Sequence, residues 1–176
     1  MLEIRKASLT DITALLQLIN AYAAKGIMLP RTEFEMAENI RDFLVAFDGG
    51  RLVGCGALHF YTATSGEVRS LAVDPAVKTK GIGRALVEAL EEEARVQELH
   101  SLFAFTYVPG FFGKLGFEEV DRGELPLKAW KDCLRCPKFQ ACDEIAMLKR
   151  FKSEPPTIPV EFSHFPEPLL FPILRK

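Results

Sequence analysis

Two apolar rhythms alternate along this chain. "LEIRKA" alternates apolar and polar side chains, the period of a half-buried strand. "SLTDITALLQLINAYAAKG" then places Ile12, Leu15, Leu16, Ile19 and Tyr22 at helical spacing and closes on Gly26. Thr32 and Glu35 stand three apart in "TEFEMAENI", the spacing of a capping box, and open a second helix. "FLVAFDGGRLVGCGALHFY" reads as a hairpin turning at Asp48-Gly49-Gly50. "GEVRSLAVDP" is a further strand, stopped by Pro75. From about Gly83 to Gln97, Leu86, Val87, Leu90 and Ala94 mark one face of a long helix whose other face is acidic. "SLFAFTYV" returns as a strand, "PGFFGKLGF" is a short helix ending at Gly116, "FEEVD" is a strand, and "DEIAMLKRF" is the last.

The order is therefore β-α-α-β-β-β-α-β-α-β, an irregular insert at about 123–142, and a closing β. Strands before, between and after helices predict an α/β sheet rather than a barrel or a bundle. Residues 1–151 form one domain in this reading, and residues 152–176 a proline-rich extended tail, with six of the eleven prolines. The tail's Phe162, Phe165, Leu169, Leu170, Phe171 and Ile173 are too apolar for a solvated linker, so it is expected to pack on the body or to hold a homodimer.

Charge and composition exclude more than they assign. A net charge of −2 gives the chain as a whole no electrostatic footprint for nucleic acid. No apolar run reaches the roughly 18 residues of a membrane span, and "MLEIRKAS" has no signal-peptide core. A cytoplasmic protein with four mostly reduced cysteines is expected.

Candidate chemistry begins in "VKTKGIGRAL", residues 77–86. A lone Gly-x-Gly is often only a tight turn, and neither a third dinucleotide-type glycine nor a Walker Lys-Ser/Thr follows it. Its place between a strand and an amphipathic helix says more. Unpaired N–H groups at the helix start face outward and favour an anion, and Lys78, Lys80 and Arg84 surround them with positive charge.

With the strand and "FFGKLGF" that follow, this arrangement resembles the GCN5-related N-acetyltransferase (GNAT) family, whose signature is Gln/Arg-x-x-Gly-x-Gly/Ala. Lys78-Thr79-Lys80-Gly81-Ile82-Gly83 fits it, with Lys in the usual Gln/Arg place, and Arg84 adjoins it. The resemblance implies the acyl-CoA N-acyltransferase fold, a mixed central sheet with helices on both faces, and a loop that holds the pyrophosphate of acetyl-CoA, the cosubstrate. "GIMLPRTEFEMAENI", "GEVRSLAV", "LFAFTYVPGFFGKLGF" and "ELPLKAWKDCLRCPKFQACDEIAM" look like the acetyltransferase domain of bacterial N-acetylglutamate synthases. Transfer of acetyl to the α-amine of L-glutamate, in arginine biosynthesis, is then the expected reaction. Another amino acid, a polyamine or a protein N-terminus is the alternative acceptor, and a non-catalytic CoA-binding module the alternative class.

The residues suit that chemistry. An α-amine is largely protonated near neutral pH, so attack on a thioester needs a base. Glu67 lies in the strand before the glycine loop, where GNAT enzymes commonly keep theirs. Period-two alternation puts Glu67, Arg69 and Leu71 on one face unless a bulge intervenes. Arg69 is a candidate for a substrate carboxylate or for pairing with Glu67. Strand amides at Leu71, Ala72 and Val73 are expected to polarise the thioester carbonyl. Arg31, in "LPRT", matches a glutamate-contacting arginine of the synthases, and its planar fork suits a carboxylate. Many GNAT enzymes protonate the leaving thiolate with a tyrosine where this chain has Phe112, so Thr106 and Tyr107 are the replacements.

"DCLRCPKFQAC" holds Cys133, Cys136 and Cys142. Free thiols, a structural metal completed by Asp143 or a histidine, and a disulfide all remain open, since zinc normally takes four ligands. A catalytic metal is not expected, because acetyl transfer needs none. Cys55, between two glycines, reads as a small buried residue.

Overall fold

The computed structural model describes residues 2–77, 81–126, 134, 136 and 138–151. The strands are β1 (Leu2–Lys6), β2 (Phe43–Asp48), β3 (Arg51–Phe60), β4 (Ser65–Val73), β5 (Ser101–Thr106), β6 (Glu118–Glu119) and β7 (Ile145–Arg150). The helices are α1 (Ile12–Ala23), α2 (Glu33–Asn39), α3 (Ile82–Val96) and α4 (Pro109–Gly113). This is the element order read from the sequence. The capping box is present: Glu35 N–H donates to Thr32 Oγ1 at 3.2 Å, and Thr32 N–H to Glu35 Oε2 at 3.0 Å. "FEEVD" keeps only two residues in the ladder, and the tail expectation for residues 152–176 lies outside the described residues.

One mixed sheet runs β1-β2-β3-β4-β5-β7-β6. Every neighbouring pair is antiparallel except β4 and β5, which run parallel. Helices cover both faces, as expected. On one, α3 buries Ile82, Leu86, Val87, Leu90 and Ala94 against Val53, Val68 and Leu102. On the other, Ile12, Leu15 and Ile19 of α1 and Met36 of α2 pack on Val45, Cys55, Ala57 and Ala72. The interior also takes one ion pair: Lys149 Nζ on β7 sits 2.7 Å from Glu91 Oε2 of α3 and donates to Leu115 O at 2.7 Å. That pairing satisfies the buried Glu91 carboxylate with a partly buried lysine and ties α3 to the sheet's far half.

Two irregularities of β4 place the site. The strand pairs with β5 over only Ser65↔Ser101, Gly66↔Leu102 and Glu67↔Phe103, so the two separate beyond Glu67. Against β3, the register steps from Ala57↔Arg69 to Cys55↔Ala72, leaving Ser70 and Leu71 opposite Gly56 alone. This is a β-bulge, and Ser70 takes φ +53° within it. The Cys55 thiol donates to Ser70 O at 3.5 Å and so braces the bulge. Strict alternation therefore fails at this point. Glu67 and Arg69 share a face, but Leu71 packs with Val68 and Val73 in the α3 cluster.

Candidate active site

A cavity of about 740 Å³ occupies the cleft where β4 and β5 part. One wall is β4 from Glu67 to Val73, and the other is the end of β5 with Thr106, Tyr107 and Val108. The loop after α1 brings Arg31, the start of α3 brings Gly81, Gly83 and Arg84, and the insert brings Cys136, Lys138 and Cys142. Nearly every described candidate from the sequence thus meets in one space. Ile82 is the exception: the residue is 1% exposed and packs in the core. Lys78, Thr79, Lys80 and Cys133 lie outside the described residues.

Charge in the cavity is one-sided. Among the described residues, Arg31, Arg69, Arg84, Lys114, Arg122 and Lys138 line it against two carboxylates, Glu67 and Glu144. Such a surface favours an anionic ligand. Glu67 is 9% exposed at the point of divergence, where its neighbour Phe103 is fully buried. Arg69 Nη2 donates to Asn39 Oδ1 at 3.2 Å and lies 3.7 Å from Asp42 Oδ2. Burial pushes the Glu144 carboxyl above its usual range, opposed by Arg122. Arg122 is itself held across the insert, donating to the carbonyls of Cys142 and Glu144.

The two candidate acids differ in setting. Thr106 is 6% exposed; its Oγ1 accepts the Val108 N–H at 3.0 Å, which leaves the hydroxyl proton for a second partner. Tyr107 turns outward, and its hydroxyl accepts from Lys138 Nζ at 3.2 Å. Partial burial is the larger influence on that phenol and pushes its pKa up, while Lys138 acts against it. Phe112 is buried in the core and Phe111 packs on Gly83, and both border the cavity.

At the mouth, Gly81 caps α3 with φ +75°, a left-handed conformation that strains any residue with a Cβ. The amides of the helix's first turn are thereby left open toward an anion. The insert's Cys136 and Cys142 are free thiols, half-buried on the wall, and Asp143 faces Lys138 at 3.4 Å. Among the described residues, no three His, Cys, Asp or Glu side chains gather as metal ligands. Among the same residues, no helix is long and apolar enough to cross a membrane. Sequence reasoning missed Lys138, Arg122, Glu144 and Tyr22, the last donating its hydroxyl to Val73 O at 2.6 Å. Only their proximity in space marks them, since neither spacing nor period links them.

A mixed sheet that splays at its parallel pair, with a left-handed glycine opening a helix beside the cleft, is the architecture of an acyl-CoA N-acyltransferase. Comparison with known proteins agrees. Residues 39–119 match the acetyltransferase (GNAT) domain family. The chain is 44% identical over 146 residues to an uncharacterized N-acetyltransferase of Chlorobaculum tepidum, covering 83% of this chain and 94% of that one. It is 39% identical over 121 residues to the amino-acid acetyltransferase of Mycobacterium tuberculosis, covering 67% and 69%. Among solved structures, N-acetylglutamate synthase of Neisseria gonorrhoeae, complexed with coenzyme A and N-acetyl-glutamate, superposes with a TM-score of 0.78 at 28% identity. That match covers 85% of this chain and 35% of the gonococcal one. The chain belongs to the GNAT family and is an acetyl-CoA-dependent N-acetyltransferase of the amino-acid acetyltransferase type.

Proposed function

We propose that the chain transfers the acetyl group of acetyl-CoA to the α-amine of L-glutamate by direct attack within a ternary complex, as an N-acetylglutamate synthase. The observation that carries this reading is a buried carboxylate, Glu67, where β4 and β5 diverge, opening into a cavity that Arg31, Arg69 and Arg84 also line. Glu67 takes the ammonium proton, and the freed amine attacks the thioester carbon. Backbone amides of β4 beyond the splay have no ladder partner on β5, so they can receive the carbonyl oxygen as charge develops there. The C–S bond then breaks: Thr106, with its hydroxyl proton uncommitted to Val108, donates to the leaving thiolate and takes up the second proton that the new amide nitrogen sheds. Tyr107, tied to Lys138, belongs instead to the wall of the insert.

For the cosubstrate, the open first turn of α3 with Gly83 and Arg84 suits a pyrophosphate. Arg31 and Arg69 suit the acceptor's carboxylates, and the same positive wall disfavours a polyamine. The test is CoA release and product mass with a panel of amino acids, polyamines and N-terminal peptides. Glutamate should exceed glutamine and every polyamine. Equal use of glutamine would remove the glutamate assignment and keep the acetyltransferase.

A further inference from the structure

His59 stands directly opposite Glu67 on the antiparallel pair β3 and β4. Side chains in that relation rise from the same face with Cβ atoms about 4.5–5.5 Å apart. The imidazole is fixed from two directions: Nδ1 lies 2.6 Å from Asp42 Oδ2, and the ring meets Tyr61 edge-on at 5.0 Å between centroids. Asp42 also faces Arg69 at 3.7 Å, so a lasting positive charge sits beside its carboxylate. An ionised carboxylate only accepts hydrogen bonds. In a neutral His59 ring the proton of the His59–Asp42 contact is therefore on Nδ1, and Nε2 carries the lone pair.

Taking Glu67 as the base, as proposed above, the carboxyl gains one proton in every turnover and must lose it before the next. Its own exposure is 9%, and the cavity it opens into is the space that acetyl-CoA and the acceptor would fill. Phe103, fully buried and 5.5 Å from Tyr61, is an apolar barrier toward β5. Toward α2, in contrast, the His59 and Asp42 side chains are 19% and 24% exposed. A polar path to water thus lies on the side away from the bound substrates.

We propose that His59, held by Asp42, carries the proton from Glu67 to solvent. Glu67 takes the ammonium proton onto a carboxylate oxygen before the freed amine bonds to the acetyl carbon, and the second proton that the nitrogen sheds leaves through Thr106 with the thiol. The Glu67 carboxyl then gives its proton to His59 Nε2, which restores the carboxylate and forms an imidazolium beside Asp42. The imidazolium passes its Nδ1 proton to the partly exposed Asp42 carboxylate and on to water, and exchange with water restores the Nδ1–H tautomer. His59 touches neither substrate in this scheme and is a relay and positioning residue.

The experiment compares wild type, His59→Gln, Asp42→Asn and Glu67→Gln in buffers with and without added imidazole. His59→Gln should keep both KM values, lower kcat about tenfold or more within the range of acid–base effects, and enlarge the solvent deuterium isotope effect. Imidazole should restore its kcat in a saturable way, which no purely structural role explains. Asp42→Asn should move in the same direction by less, and serves as the test if His59→Gln fails to fold. Glu67→Gln should stay slow with imidazole present. Wild-type kcat in His59→Gln, or a loss that imidazole leaves untouched, overturns the relay. If Glu67→Gln itself turns over normally, the base assignment falls with it, whereas an inactive Glu67→Gln beside an unaffected His59→Gln removes the relay alone.

Discussion

Asn20 grips Arg31 by both backbone groups: its Nδ2 donates to Arg31 O at 2.9 Å, and Arg31 N–H donates to its Oδ1 at 2.9 Å. A side chain of α1 thus takes the place of a strand partner for the loop that delivers the guanidinium to the cavity. Asn20→Ala deletes two hydrogen bonds worth about 0.5–1.5 kcal/mol each. The expected result is a rise in KM for the amino acid of up to about tenfold per bond lost, with KM for acetyl-CoA unchanged. Steady-state kinetics with each substrate varied in turn checks it; an effect confined to acetyl-CoA would place Arg31 elsewhere in the reaction.

Gly83 separates folding from binding. A Cβ there would meet Phe111 at 3.5 Å and Val73 at 3.6 Å, ordinary contact distances, so the protein itself has room for a methyl. Gly83→Ala should therefore melt close to wild type yet bind acetyl-CoA at least about tenfold more weakly, by obstructing the helix-start amides. Gly81→Ala carries a further cost of about 1–2 kcal/mol from its left-handed backbone. Calorimetric titration beside thermal melts reads both, and undiminished affinity in Gly83→Ala would remove the phosphate role of this loop.

The element order was legible because each segment's apolar period agreed with its end signals. Thr32 and Glu35 marked a helix start, Asp48-Gly49-Gly50 a hairpin, and Pro75 a strand end. Glu67 and Arg31 were legible through family resemblance together with chemistry. What the residues did not announce was the bulge. Nothing in "VRSLAV" shows that Ser70 takes a positive φ; pairing with β3 opposite Gly56 and the thiol of Cys55 reveal it, and they turn Leu71 to the other face. Lys138 and Arg122 stayed hidden for a different reason. Lys138 meets Tyr107 just after β5, and Arg122 is held by the carbonyls of Cys142 and Glu144, tertiary contacts without local periodicity.

Acid stability should depend on Asp11, just before α1. Arg5, bidentate at 2.8 and 2.9 Å, holds its carboxyl well below the usual carboxylate range, and Ser8 N–H adds a further hydrogen bond at 2.7 Å. A depressed carboxyl stabilises the fold above its unfolded-state pKa, about 3.9, and loses that contribution as pH falls through the folded value. Arg5 is partly solvated, so the pair is screened, and Asp11→Asn should cost about 1–2 kcal/mol near pH 7. The difference from wild type should shrink through the acid range. Urea denaturation at several pH values measures it; a gap that widens on acidification would contradict the assignment.

The most direct measurement pairs Glu67→Gln with Arg31→Ala, each assayed with glutamate and with glutamine. Glu67→Gln keeps size and hydrogen-bonding shape but cannot take the amine proton, so kcat with glutamate should fall about 10²–10⁴-fold while acetyl-CoA binding persists. Arg31→Ala should chiefly raise KM for glutamate and narrow the preference over glutamine. A Glu67→Gln enzyme with near-wild-type kcat would contradict proton abstraction by the carboxylate in the cleft.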